Sequence, residues 1–166
     1  MVPAPQGQSG QVSGRGCPAV TTSGRVSTSD VSRNRPRQIL LLDTCLLIDH
    51  LRGFDPARLW LTTTVAREDA QLACSVIAVA ELMSGLKTDG PERGAVEALL
   101  SLTEPVPVDE AIARHAAGYM RQWRQSHGLA MPDALIAATA KEIGAALATR
   151  DGGHFPMTDI EVFAPY

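Results

Sequence analysis

Two kinds of apolar pattern alternate along most of the chain. Ile39-Leu40-Leu41-Leu42 is a short unbroken apolar run closed by Asp43. Such a run predicts a strand buried on both faces of a parallel sheet, with Thr44 beginning a helix to about Arg52 and Gly53 closing it. Asp55-Pro56 is a cap followed by proline and opens a helix through Ala66. Gln71–Cys74 is a second strand. Ser75 then caps a helix over Val76–Leu86, ended by the Lys-Thr-Asp-Gly turn at 87–90. A helix follows over Pro91–Leu102, then a short strand, Glu104–Val108, whose proline suits a sheet edge.

The second half keeps the rhythm. Asp109 caps a long helix to His127. Its apolar stripe is Ile112, Ala116, Tyr119, Met120 and Trp123, at helical spacing. Gly128 stops it. Pro132 stands in the first turn of the next helix, which reaches Ile143 with Gly144 after it, and Ala145–Thr149 and Ile160–Phe163 are strands. Strands alternating with helices predict an α/β fold whose sheet is covered on both faces.

Composition changes this picture only at the N-terminus. Residues 1–38 hold five Arg and one acid and contain no Leu, Ile, Phe, Tyr or Trp; Gly, Pro, Ser and Gln make up 19 of the 38. Such a segment buries too little apolar surface to offset the entropy of ordering, so 1–38 is expected to be a disordered tail and 39–166 the domain. Three readings of the tail stay open. An arginine arm would tether RNA; a transit peptide would need an amphipathic face that is not there; or the tail has no role, as with a mis-assigned start. The body, 39–166, carries ten bases and 17 acids. No run of 18 apolar residues and no apolar leader occur, so a cytoplasmic protein without a membrane span is expected. The cysteines are Cys17, Cys45 and Cys74, an odd number with no C-x-x-C pair, which argues against a disulfide framework or a Cys-based zinc site.

Four carboxylates occupy places where open α/β sheets put their chemistry, beyond the carboxyl ends of strands. Asp43 ends the first strand, Asp151 follows the strand Ala145–Thr149, and Asp133 lies in the first turn of the helix before it. Glu81 is the one charge in the apolar run SVIAVAELMSGL. Each has a plainer explanation: a helix cap for Asp43, dipole complementation for Asp133, a turn for Asp151, a thin exposed stripe for Glu81. Together, with no Lys beside them, they are harder to dismiss. Two carboxylates about 4 Å apart repel by roughly 4 kcal/mol at an effective dielectric near 20, so such a cluster raises its own pKa values or recruits a cation. Oxygen ligands select Mg²⁺ or Mn²⁺ over zinc, and such ions support phosphodiester hydrolysis.

The runs ILLLDTCLLIDHLRG (39–53), SVIAVAELMSGL (75–86) and MPDALIAATAKEIGAALATRDGGHF (131–155) resemble the PIN-domain ribonucleases, with VapC-type toxins of toxin–antitoxin pairs as the nearest match. The resemblance spans 39–166. It implies a three-layer α/β/α fold with a central, mostly parallel sheet, and a Mg²⁺- or Mn²⁺-dependent endoribonuclease toxin. It also implies that Asp43, Glu81, Asp133 and Asp151 are the catalytic, metal-holding acids and that Thr44 and Thr149 support them. Pro132 departs from the family, where a hydroxyl residue commonly precedes the third acid, and Asp151 stands where relatives often have Asn. The implied partners are RNA, a second copy in a homodimer, and a cognate VapB-type antitoxin. That antitoxin would dock on aliphatic helix surface, at Leu46, Leu47 and Leu51 or Leu82 and Leu86, and direct a basic residue toward Asp43 and Glu81.

Other residues have two readings. Arg150 and His154 flank Asp151 and could touch an RNA phosphate, or be a solvated strand-end charge and a loop residue. Cys45 and Cys74 read as small buried apolar residues, Asp49 as a surface residue, and Arg114, Arg121 and Arg124 as a solvated helix face. The competing function is a non-catalytic PIN module that binds RNA or protein. A haloacid-dehalogenase-like phosphatase would need an acid where Cys45 stands, and a receiver domain would need paired acids at the first strand.

Overall fold

The computed structural model describes residues 37–67, 70–86, 90 and 92–166. The tail expected over 1–38, apart from its last two residues, lies outside the described residues, as do 87–89 of the expected turn.

Five strands form one sheet: β1 (Gln38–Leu42), β2 (Ala70–Ser75), β3 (Glu104–Val106), β4 (Ala146–Ala148) and β5 (Val162–Phe163). Their order is β3-β2-β1-β4-β5, and every neighbouring pair is parallel. Parallel neighbours cannot be joined by a tight turn, so the connections carry the helices. These are α1 (Thr44–Leu51), α2 (Asp55–Arg67), α3 (Val76–Ser84), α4 (Glu92–Leu100), α5 (Glu110–His127) and α6 (Met131–Glu142). The proline strand β3 is an edge, where a missing N–H costs least.

The period of two along β1 explains the layers. Leu41 points into a core with Ile112, Ala116 and Tyr119 of α5 and Ile136 of α6. Leu40 and Leu42 point the other way, into a core with Leu46, Leu47, Leu61, Leu82 and Leu99 from the first four helices. The predicted stripe on α5 therefore packs as its spacing requires, with Met120 and Trp123 at its margin. Gly128 ends α5 at φ 66°, a left-handed conformation that a glycine adopts without steric cost, and its N–H bonds the Arg124 carbonyl. Helix α6 begins at Met131, so Pro132 stands in its first turn as expected.

Strand order creates a crevice. The chain runs from β1 outward to β2 and β3, and later returns to the other side of β1 with β4 and β5. The order reverses between β1 and β4, and the carboxyl ends there open the space where α/β sheets place their ligands.

Candidate active site

Asp43 leaves β1 at this switch point. Its N–H donates to the Ala148 carbonyl at 3.0 Å, continuing the ladder with β4. It occupies the N-cap position of α1, yet its side chain makes no capping bond. Other caps in the same chain do: Ser75 accepts from the Ile77 N–H at 3.3 Å and Asp109 from the Ile112 N–H at 2.9 Å. The capping explanation for the Asp43 carboxylate is therefore removed. Its Oδ2 instead accepts from Thr149 Oγ1 at 2.6 Å and from the Cys45 thiol at 3.1 Å. Asp43 is 7% exposed and Thr149 fully buried, so these are charge-assisted bonds in a place water scarcely reaches.

Glu81, half-buried on α3, is oriented from α1: Thr44 Oγ1 donates to its Oε2 at 2.5 Å. Asp133 is the third residue of α6, inside the positive end of the helix dipole. Burial pushes its carboxyl above the usual range. Asp43 and Glu81 push the same way, while His154 and the Ala130 N–H oppose them. The structure thus brings Asp43, Glu81 and Asp133 into one electrostatic neighbourhood with His154. Asp151 stands apart from that set. It is exposed, its N–H donates to Thr149 Oγ1 at 3.0 Å, and its carboxylate lies 3.9 Å from Arg150 Nη2.

Two expectations need correction. Asp49 is not a surface residue: it is 7% exposed, and its Oδ2 accepts from Arg150 Nη1 at 2.6 Å and from the Tyr166 hydroxyl at 3.3 Å. Helical spacing turns Asp49 inward, and partners 101 and 117 residues away satisfy it. Leu46, Leu47 and Leu82 are all buried in the core, so of the residues expected to meet an antitoxin Leu51 and Leu86 alone stay partly exposed. Cys45 is more than apolar filling. Burial, and then the Asp43 carboxylate, push its thiol up to about 11, so it stays protonated and serves as a donor to that carboxylate.

The donor set suits a hard divalent cation. All candidate ligands are carboxylates, and the protein's hydrogen bonds engage Oδ2 of Asp43 and Oε2 of Glu81, leaving Oδ1 and Oε1 without a protein donor among the described residues. The upward push on Asp133 comes first from burial and then from the Asp43 and Glu81 carboxylates, and a bound cation would offset the second cause. Among the described residues, no three His, Cys, Asp or Glu side chains already stand as a metal-holding group. That is compatible with Mg²⁺, which retains several waters and takes only one or two carboxylates directly.

A groove of about 380 Å³ runs beside Glu81, between α1, α3 and α4. Leu51, Leu82 and Leu86 line it with Ile48 and Val96, and Arg52 and Glu92 border it. Among the described residues no helix is long and apolar enough to cross a membrane.

Residues 40–159 match the family model described as PIN domain. The chain is 45% identical over 120 residues to Ribonuclease VapC10 of Mycobacterium tuberculosis, a match covering 72% of this chain and 87% of that protein. It also resembles the crystal structure of FitAcB from Neisseria gonorrhoeae, with 32% identity, a TM-score of 0.61, and coverage of 76% of this chain and 97% of that one. A toxin–antitoxin complex from Klebsiella pneumoniae is similar at 31% identity and a TM-score of 0.59, covering 76% and 98%.

Proposed function

The chain belongs to the PIN-domain family, and from that membership we propose that it is a Mg²⁺- or Mn²⁺-dependent endoribonuclease, the toxin of a type II toxin–antitoxin pair. The observation that carries this reading is that Asp43 and Glu81, from other elements, both push on the Asp133 carboxyl, while Asp43 at the end of β1 makes no capping bond. These three would hold the ion, with Asp151 at the rim as a fourth acid. A bound ion would polarise a phosphoryl oxygen and make water a stronger nucleophile. The rest is done by the chain. Thr149 and Cys45 fix one oxygen of Asp43, and Thr44 fixes one oxygen of Glu81, so each carboxylate offers its other oxygen in a set orientation. The acids also repel a polyanion, so cleavage depends on charge neutralisation at the site.

The relatives named as a ribonuclease and as part of a toxin–antitoxin complex support the same assignment. In this reading the chain forms a homodimer that is held inactive by a VapB-type antitoxin. An aliphatic segment of that antitoxin lies in the groove over Leu51 and Leu86, with Leu82 at its floor, and a guanidinium reaches Glu81 and Asp43.

The test is cleavage of RNA by the purified full chain. Cleavage should require Mg²⁺ or Mn²⁺, stop with EDTA and resume with excess metal. Asp43→Asn and Asp133→Asn should each abolish it while the chain stays folded. Wild-type rates in either variant would remove the site assignment, and metal-free cleavage would remove the mechanism. A chain that binds RNA but never cuts it would favour the non-catalytic module.

A further inference from the structure

Arg150 is held unlike any other arginine in the described chain. Its Nη1 donates to Asp49 Oδ2 at 2.6 Å, and Asp49 is itself anchored by the Tyr166 hydroxyl. The Asp49 side chain is 10% exposed, whereas that of Arg150 is 48% exposed. One edge of the guanidinium is therefore fixed inside the protein and the rest faces solvent. Arg93 and Arg114, by contrast, pair with Glu97 and Glu110 on open helix surface.

Position adds to this. Arg150 lies between Thr149, which bonds Asp43, and Asp151 at the rim of the crevice. Its N–H also reaches the Cys45 sulfur at 3.5 Å, so its backbone is tied to the same cluster. A guanidinium has five N–H donors in a rigid fork. Asp49 engages Nη1, and Asp151 at 3.9 Å from Nη2 is beyond hydrogen-bond length. The donors left over suit a tetrahedral anion with two oxygens to offer.

We propose that Arg150 is an RNA-backbone contact: a phosphate clamp, pre-oriented by Asp49 and Tyr166, that holds a phosphate of the bound strand at the rim of the acidic crevice. This rests on the ribonuclease reading and names how that site tolerates a polyanion. A clamp whose orientation is set before binding loses less side-chain entropy on binding than a free arginine. It carries no base information, so it strengthens binding for all sequences alike.

The experiment measures binding of a fluorescein-labelled single-stranded RNA to the full chain with Asp133→Asn as the parent, in Mg²⁺, across a salt series. Removing Arg150 alone would strand a buried carboxylate, so the comparison is with Asp49→Asn/Arg150→Gln, which keeps a neutral hydrogen-bonding pair. The slope of log affinity against log salt should become shallower by about 0.7, the value for one phosphate contact on a single strand, with affinity falling by a similar factor for unrelated RNA sequences. An unchanged slope overturns the proposal, including when the melting temperature falls, because that is the outcome of a purely structural ion pair. Arg150→Lys gives an independent answer: one ammonium engaged by Asp49 cannot also form a fork, so affinity should fall while the slope holds. Unchanged affinity in that variant also overturns the proposal. Cleavage by the unmutated chain is assayed in parallel. If it cleaves and the slopes match, only the Arg150 assignment falls; if it neither cleaves nor its parent binds RNA, the ribonuclease reading falls with it.

Discussion

Thr149→Val removes one hydroxyl and almost no volume, so it isolates the bond that orients Asp43. In the native chain that bond is 2.6 Å long, its donor is fully buried and its acceptor 7% exposed. A hydrogen bond to a charged partner contributes about 1.5–3 kcal/mol, and here water cannot replace it. The Asp151 N–H also loses its acceptor, but that residue is exposed and can turn to solvent at little cost. The expected loss is therefore about 2 kcal/mol, or roughly 6–10 °C in melting temperature for a domain of this length. Activity should fall about 10–100-fold, the usual consequence of removing a residue that orients a metal ligand. Thr149→Ser is the control: it keeps the donor, loses a buried methyl worth about 1 kcal/mol, and should keep most activity. Urea unfolding in EDTA gives the first number and RNA cleavage in Mg²⁺ the second. If Thr149→Val unfolds within 0.5 kcal/mol of wild type (about the error of such measurements) and cleaves normally, Thr149 does not orient Asp43.

Asp133→Asn should stabilise the metal-free chain near neutral pH. Burial and two neighbouring acids raise the Asp133 carboxyl, so the folded state binds that proton more tightly than the unfolded state; the penalty is full above the raised value and absent below the ordinary 3.8. The gain seen by urea unfolding should vanish toward acid pH, and a gain that persists there would contradict this origin. Removing either partner of the Asp49–Arg150 pair should not cost the same. Arg150→Ala leaves a buried carboxylate with the Tyr166 hydroxyl but no counter-ion, about 3 kcal/mol, whereas Asp49→Ala leaves a half-exposed guanidinium that water can solvate, about 1 kcal/mol; equal losses would refute the asymmetry. Leu86→Asp, in the groove, should abolish protection by a co-expressed antitoxin while leaving RNA cleavage intact, and retained protection would move the docking site elsewhere.

Much of this architecture is readable because it is local. Ile39–Leu42 announces a two-sided strand, Pro105 an edge, and the stripe from Ile112 to Trp123 the buried face of α5; each depends on neighbours within a few turns of chain. The acids at strand ends are readable for the same reason, since strand order places β1 and β4 side by side and their following residues with them. Of the partners of those acids, Thr44 and Thr149 enter only through the family resemblance, and Cys45 does not enter at all. That Cys45 would donate to Asp43 depends on its side chain turning back to lie 3.1 Å from Oδ2, which residue type and spacing do not announce. Asp49 looks like surface because its cation is the distant Arg150 and its second donor is the last residue, Tyr166. Leu47 and Leu51 share one face of α1, and only the place of Leu51 at the end of the helix leaves it partly exposed to the groove.

In the proposed function Asp43 and Asp133, with Glu81, hold a divalent cation. The most direct test is titration of Mn²⁺ into the purified full chain, with free ion followed by electron paramagnetic resonance. Wild type should take up Mn²⁺, and Asp43→Asn and Asp133→Asn should each weaken uptake by about tenfold or more while remaining folded. A wild-type chain that leaves the ion free, or variants that bind it as tightly as wild type, would contradict the account.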